Sequence, residues 1–137
     1  VPAKDLYHDH VRAILEKEDW IITDDPLFMR AGGRKVFIDL AAEKVILATR
    51  ETEQIAVEVK SFIGASPLNN FHAAVGQFLL YREVLDEKDP QRKLFIAMPK
   101  DTYIELVDDF ILRMLQKHEI HLFVFDNKKL EIWQWIR

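Results

Sequence analysis

Cysteine is missing altogether, which excludes a disulfide framework, a thiolate nucleophile and any zinc site built on thiolates. That absence fits a reducing compartment, and a cytoplasmic location is expected. Proline and glycine are scarce, five and four residues, so the chain has neither a collagen-like repeat nor a flexible linker. No apolar run approaches the roughly 18 residues that a membrane-spanning helix needs, and no membrane partner is expected. Positive charge is also short. With 19 Lys and Arg against 23 Asp and Glu the net charge is −4, which argues against coating nucleic acid by bulk electrostatics. Any contact with DNA must then come from a local basic patch or a bound cation. The first residues are polar and charged, unlike a signal peptide, and a start at Val1 reads as a trimmed or processed terminus.

What is present is a chain of 137 residues, 49% apolar, a size at which one domain with a single core is expected over residues 1–137. Tyr7, Val11, Ile14 and Leu15 recur at helical spacing behind Asp5, a candidate cap, and predict a helix ending near Lys17–Asp19 whose other face carries His8, Arg12 and Glu16. Trp20–Thr23 reads as a short strand, and the stretch from Asp24-Asp25-Pro26 to Gly32-Gly33 as a loop. Lys35–Ala41 alternates as one strand, with Val36, Ile38 and Leu40 on one side and Phe37, Asp39 and Ala41 on the other. Val45–Thr49 and Gln54–Lys60 supply two more strands around the turn Arg50–Glu53. Ser66-Pro67 opens a long helix with a core stripe of Phe71, Val75, Phe78, Leu79 and Leu85, stopped by Asp89-Pro90. Leu94–Met98 is a strand, Thr102–His118 is helical with a break near Asp108–Asp109, and Ile120–Phe125 and Leu130–Ile136 form a closing hairpin.

The chemistry concentrates in IAVEVKSF, Ile55–Phe62. With a period of two, Ala56, Glu58 and Lys60 share one face of the strand and Ile55, Val57 and Val59 the other. Asp39, flanked by Phe37 and Ala41, is expected to reach the same face from a nearby strand. Two carboxylates and a lysine held on a stiff sheet suit Mg²⁺-assisted phosphodiester hydrolysis. Asp39 and Glu58 would hold the ion, and Lys60 would orient or deprotonate the attacking water and offset charge developing on phosphorus. The plain alternative is an exposed ion pair contributing roughly 0–1 kcal/mol. Arg30, Arg34 and Lys35, around Ala31-Gly32-Gly33, are candidates for phosphate contact or simply a solvated loop of cations. Trp133 and Trp135, on one face of the last strand, would stack on bases or, the preferred reading, complete a core or a homodimer interface.

The order of helix, strand with Asp39, hairpin, strand with Glu58-Val59-Lys60, and helix resembles the PD-(D/E)XK nuclease superfamily, matched residue by residue at Asp39, Glu58 and Lys60. The resemblance implies an α/β (α+β) restriction-endonuclease-like core, a mixed sheet flanked by helices in the order αβββαβαββ. Gln77 and Tyr81 match a Q-x-x-x-Y pattern of several branches. By that resemblance Gln77 would organise the site, while Tyr81 would touch nucleic acid or brace the sheet. Where many members carry a first-helix Glu, His8 stands, with Asp9 and Glu16 as alternatives. Imidazole is a poorer Mg²⁺ partner than carboxylate.

At closer range the chain resembles the XisH family, cyanobacterial factors controlling excision of a DNA element during heterocyst development. The resemblance is carried by Asp5-Leu6-Tyr7-His8, Trp20–Leu27, Gly33-Arg34, Ile38–Glu43, Ala56–Phe62, Gly76-Gln77 and Leu80-Tyr81-Arg82. It implies a role in programmed DNA rearrangement beside a recombinase and a small companion factor. The resulting expectation is a DNA-acting protein whose catalytic residues are Asp39, Glu58, Lys60 and Gln77. Mg²⁺ or Mn²⁺ would sit on Asp39 and Glu58, and Arg34, Lys35, Tyr81 and His8 would meet the substrate. The alternative is a catalytically inactive nuclease-fold module that regulates a recombinase through protein contacts.

Overall fold

Residues 51–59, Glu51–Val59, form a strand buried on both faces over its second half, and the molecule is arranged around it. The computed structural model describes residues 4–47, 51–64 and 66–137. In chain order the elements are α1 (His8–Lys17), β1 (Ile21–Asp24), β2 (Leu27–Ala31), β3 (Arg34–Ile38), β4 (Leu40–Ile46), β5 (Glu51–Val59), α2 (Pro67–Lys88), β6 (Arg92–Pro99), α3 (Lys100–Leu106), α4 (Asp109–Lys117), β7 (His121–Asp126) and β8 (Glu131–Ile136). Among the described residues, six strands make a mixed sheet in the order β1-β4-β5-β6-β7-β8, and β2 and β3 pair apart from it. β5, β6 and β7 run parallel, joined by α2 and by α3 with α4, and their outer neighbours run antiparallel.

The sheet separates two apolar layers. Ile55, Val57 and Val59 pack with Val11, Ile14 and Leu15 of α1 on one side, while Ala56, Leu94, Ile96 and Met98 pack with Phe71, Phe78 and Leu115 of α2 and α4 on the other. Strands covered on both faces read as continuous apolar runs, which explains LFIAM in β6 and LFVF in β7. α2 begins as its sequence predicts, with Ser66 Oγ accepting a hydrogen bond from Asn69 N–H at 3.3 Å and Pro67 in the first turn. The expected helix break is also present. Asp108 accepts from Ile111 N–H at 2.8 Å and so caps α4.

Several expectations are corrected. Five strands lie between α1 and α2, where the superfamily order implied three and the residue patterns four; the strand those patterns missed is β2, which lies in the expected loop. β2 and β3 are a hairpin closed by Gly32 and Gly33 at φ +56° and +79°, a two-residue turn that needs left-handed backbone at both positions. Lys35–Ala41 is not one strand. The chain bends at Asp39, so Val36 and Ile38 belong to one apolar layer and Leu40 to the other. β4 runs unbroken from Leu40 to Ile46, and Glu51–Glu53 are strand rather than turn. The parts of the expected strand and turn that fall on residues 48–50 lie outside the described residues. In α2, Leu79 is 46% exposed, and Val84 takes its place in the core. Trp133 and Trp135 do not share a face, because a bulge in β8 shifts the register between them. Trp135 packs on Phe95 and Phe123, while Trp133 meets Tyr103 of α3.

Phe95 is fully buried, so Phe95→Ala is expected to lower the unfolding free energy by roughly 3–5 kcal/mol. Leu79→Ala is expected to stay within about 0.5 kcal/mol of the parent, both read from urea denaturation midpoints.

Candidate functional site

The bend at Asp39 creates the site. β4 pairs with β5 so that Leu40 faces Val57, and the residue before it therefore meets Glu58. The two then clasp each other through the backbone. Asp39 N–H donates to Glu58 Oε1 at 3.1 Å, and Val59 N–H donates to Asp39 Oδ2 at 2.7 Å. Each carboxylate thus satisfies an amide that leaves the regular ladder, and neither side chain can swing away without exposing one. Lys60 follows β5, held by its N–H to Ala97 C=O at 3.0 Å. Its Nζ stands 3.5 Å from Glu58 Oε2.

Glu58 is 8% exposed. Burial, and next the adjacent Asp39 carboxylate, push its pKa up to about 8 against the pull of Lys60. Burial and the same two carboxylates also raise the Tyr81 phenol. Gln77 Nε2 donates to Tyr81 Oη at 3.0 Å, the contact expected of neighbours one helical turn apart. Gln77 Oε1 is buried without a partner.

α1 supplies the opposite wall. His8 lies at the edge of the stripe made by Val11 and Leu15, and the packing draws it inward to 2% exposure. This corrects its expected place on the outer face with Arg12 and Glu16. Its Nε2 is 2.6 Å from Asp25 Oδ1, its Nδ1 is 4.0 Å from Asp39 Oδ1, and Nδ1 has no hydrogen-bond partner. Asp9 is instead paired with Lys4, and Glu16 with Arg12. Asp5 ties the start of α1 to the site by accepting from Tyr7 N–H at 2.9 Å and from Ser61 N–H at 3.0 Å.

A cleft of about 390 Å³ is lined by His8, Asp39, Glu58, Lys60, Gln77 and Tyr81, and also by Asp5, Asp25 and Phe37. Six of the expected site residues therefore converge. Arg34 and Lys35 do not line it. They are exposed on the β2–β3 hairpin, where Arg30 lies over the Phe28 ring at 5.5 Å. Sequence reasoning missed Asp25 and Asp5 as site residues. Asp25 looks like a turn former before Pro26, and its partner His8 is 17 residues away, beyond any local spacing rule.

Among the described residues no three His, Asp or Glu side chains are arranged to hold a metal ion by themselves. An ion shared by Asp39 and Glu58 would complete its shell with water and phosphate oxygens, as Mg²⁺ commonly does. The donor set fits such an ion, because two touching carboxylates, one of them buried, resist joint ionisation until a cation joins them.

The raised Glu58 pKa has a signed consequence. Between an ordinary carboxylate pKa of 4.5 and about 8, the folded protein holds a proton that the unfolded chain has released. Stability without metal should therefore fall as pH rises through that window. Urea midpoints measured across it should decline for the parent protein and flatten in Glu58→Gln.

A sequence profile described as XisH protein matches residues 1–133. The crystal structure of an XisH family protein from Nostoc punctiforme PCC 73102 is 39% identical over 97% of this chain and 100% of that one, with a TM-score of 0.85. That of an fdxN element excision controlling factor protein from Anabaena variabilis is 37% identical over 98% and 100%, with a TM-score of 0.84. No curated protein matches the chain.

Proposed function

The chain belongs to the XisH family, and on that premise we propose that it controls excision of a genomic DNA element, acting on DNA through a Mg²⁺- or Mn²⁺-dependent phosphodiester-hydrolysing site. The excision role rests on the relative described as an fdxN element excision controlling factor. The nuclease reading rests on one observation, the clasped pair Asp39 and Glu58 with Lys60 Nζ 3.5 Å from Glu58 in a single cleft.

Asp39 and Glu58 would hold the ion, which when bound supplies Lewis-acid stabilisation to a phosphate. Lys60 lines the cleft, where its ammonium would orient a water and offset charge on the phosphoryl oxygens, or its neutral amine would take the proton of that water. Gln77 Oε1, the buried acceptor without a partner, is free to position that water, and Tyr81 fixes the amide through its hydroxyl. Arg34 and Lys35 lie outside the cleft and would meet the phosphate backbone at a distance from the reaction. A recombinase and a small companion factor are the protein partners in this reading.

Supercoiled, linear and branched DNA incubated with Mg²⁺ or Mn²⁺ should be nicked by the parent protein, and Lys60→Ala should lose at least about a hundredfold in rate. No cleavage of any of the three substrates would count against catalysis. The second reading, an inactive scaffold that regulates a recombinase, is favoured by the absence of a three-residue metal cluster among the described residues and by exposed Ile104 and Phe110 on α3 and α4. Failure to bind either cation, together with stable association with a small partner protein, would support it.

A further inference from the structure

We propose that the outward face of the β2–β3 hairpin, Phe28 and Phe37 flanked by Arg30 and Lys35, is a stacking platform for an unpaired DNA strand that leads into the cleft. The inference deepens the DNA-acting reading above, on which it rests, by naming its substrate class: single-stranded DNA or the unpaired arm of a branched molecule.

The hairpin has two unlike faces. Leu27, Met29, Val36 and Ile38 pack into the apolar layer that also holds Phe71 and Phe78 of α2. The alternate side chains point the other way. There Phe28 stands opposite Phe37, and Arg30 opposite Lys35. The two rings lie 5.2 Å apart between centroids, and Phe28 is 45% exposed. Arg30 lies over the Phe28 ring at 5.5 Å, and arginine planes accept bases much as aromatic rings do. Charge on this element is one-sided. The run LFMRAGGRKVFI, residues 27–38, holds the cations Arg30, Arg34 and Lys35 and no acid, in a chain whose net charge is −4. Like charges directly opposite one another destabilise a strand pair, and among the described residues none of these three cations forms an ion pair. The fold supplies no counter-charge here, whereas a phosphate backbone would.

Cations interleaved with exposed aromatic rings are what an unpaired strand requires, because the cations follow its phosphates while the rings take its bases. A duplex stacks its base faces on one another, and a phenyl ring has no donor or acceptor with which to read a base edge. Duplex DNA could therefore use the cations alone. A second copy of this chain is a poorer occupant, since a symmetric contact would set the same cations against each other. Phe37 also lines the cleft that holds Asp39, Glu58 and Lys60. The platform and the cleft share that wall, so a strand lying across the hairpin reaches the carboxylate pair without leaving the protein surface.

The test uses the full chain in EDTA, where no cation-dependent cleavage intervenes. Fluorescence anisotropy compares a labelled oligothymidylate, an abasic strand of the same length and a duplex. The parent protein should bind the oligothymidylate about tenfold more tightly than the other two. Phe28→Ala should remove most of that preference and leave the abasic strand unaffected, while Phe28→Trp should retain it, which separates stacking from folding. Lys35→Ala should weaken all three and flatten their salt dependence. Equal affinity of the parent for the oligothymidylate and the abasic strand, or an undiminished preference in Phe28→Ala, would overturn the platform. So would a parent dimer in sedimentation that Phe28→Ala dissociates, which would assign the face to a second copy. Strand preference of the expected kind in a protein that cleaves nothing with Mg²⁺ or Mn²⁺ would remove hydrolysis and uphold the platform. Cleavage without that preference would do the reverse.

Discussion

Two hydrogen bonds, Asp39 N–H to Glu58 Oε1 and Val59 N–H to Asp39 Oδ2, hold together the point where the chain passes from the small hairpin into the main sheet. At that point the regular ladder stops supplying partners, and the side chains of the two acids replace it. The arrangement fixes the bend, brings the carboxylates into contact and buries one of them. Function and folding are therefore in tension here. Like charges forced together destabilise the metal-free protein, a stored electrostatic cost of the kind that sites for cations impose on their scaffolds.

The remaining parts of the cleft are braced from three directions. Asp5 anchors the start of α1 to Ser61, just past Lys60. α2 brings Gln77 and Tyr81 across the opening, with Phe78 and Phe71 of the same helix seated in the core. The β1–β2 turn brings Asp25 and, through it, the orientation of His8. Three elements distant in sequence thus meet around β5. The parallel pairing of β5 with β6 keeps that strand central and stiff, so the site residues at its end are set by the sheet.

Much of this was legible in the chain itself, and the failures have physical causes. Alternation in Ile55–Val59 placed Glu58 opposite the apolar side chains, and the structure agrees, with Ile55, Val57 and Val59 in one layer and Ala56 in the other. The cap at Ser66 and the break at Asp108 are local chemistry and were readable as such. The hairpin turn at Gly32-Gly33 was instead read as the end of a loop, although a glycine pair is a signal for a two-residue turn with left-handed backbone. The bend at Asp39 was not readable, since period-two alternation continues through it while the strand changes sheets. The bulge that parts Trp133 from Trp135 is equally silent, because it depends on how β8 meets β7. His8 sits at the margin of its helical stripe, where spacing allows either face, and tertiary packing decides. Asp25 is recognisable only once His8 and Arg12 are in space beside it.

The central claim is that Asp39 and Glu58 form the seat of a divalent cation. A crystal of this protein soaked in Mn²⁺ and measured for anomalous scattering tests it most directly. The expected result is a single anomalous peak between the two carboxylates, within bonding distance of both. A map without a peak there, at full Mn²⁺ concentration and with the Asp39–Glu58 clasp unchanged, would contradict it.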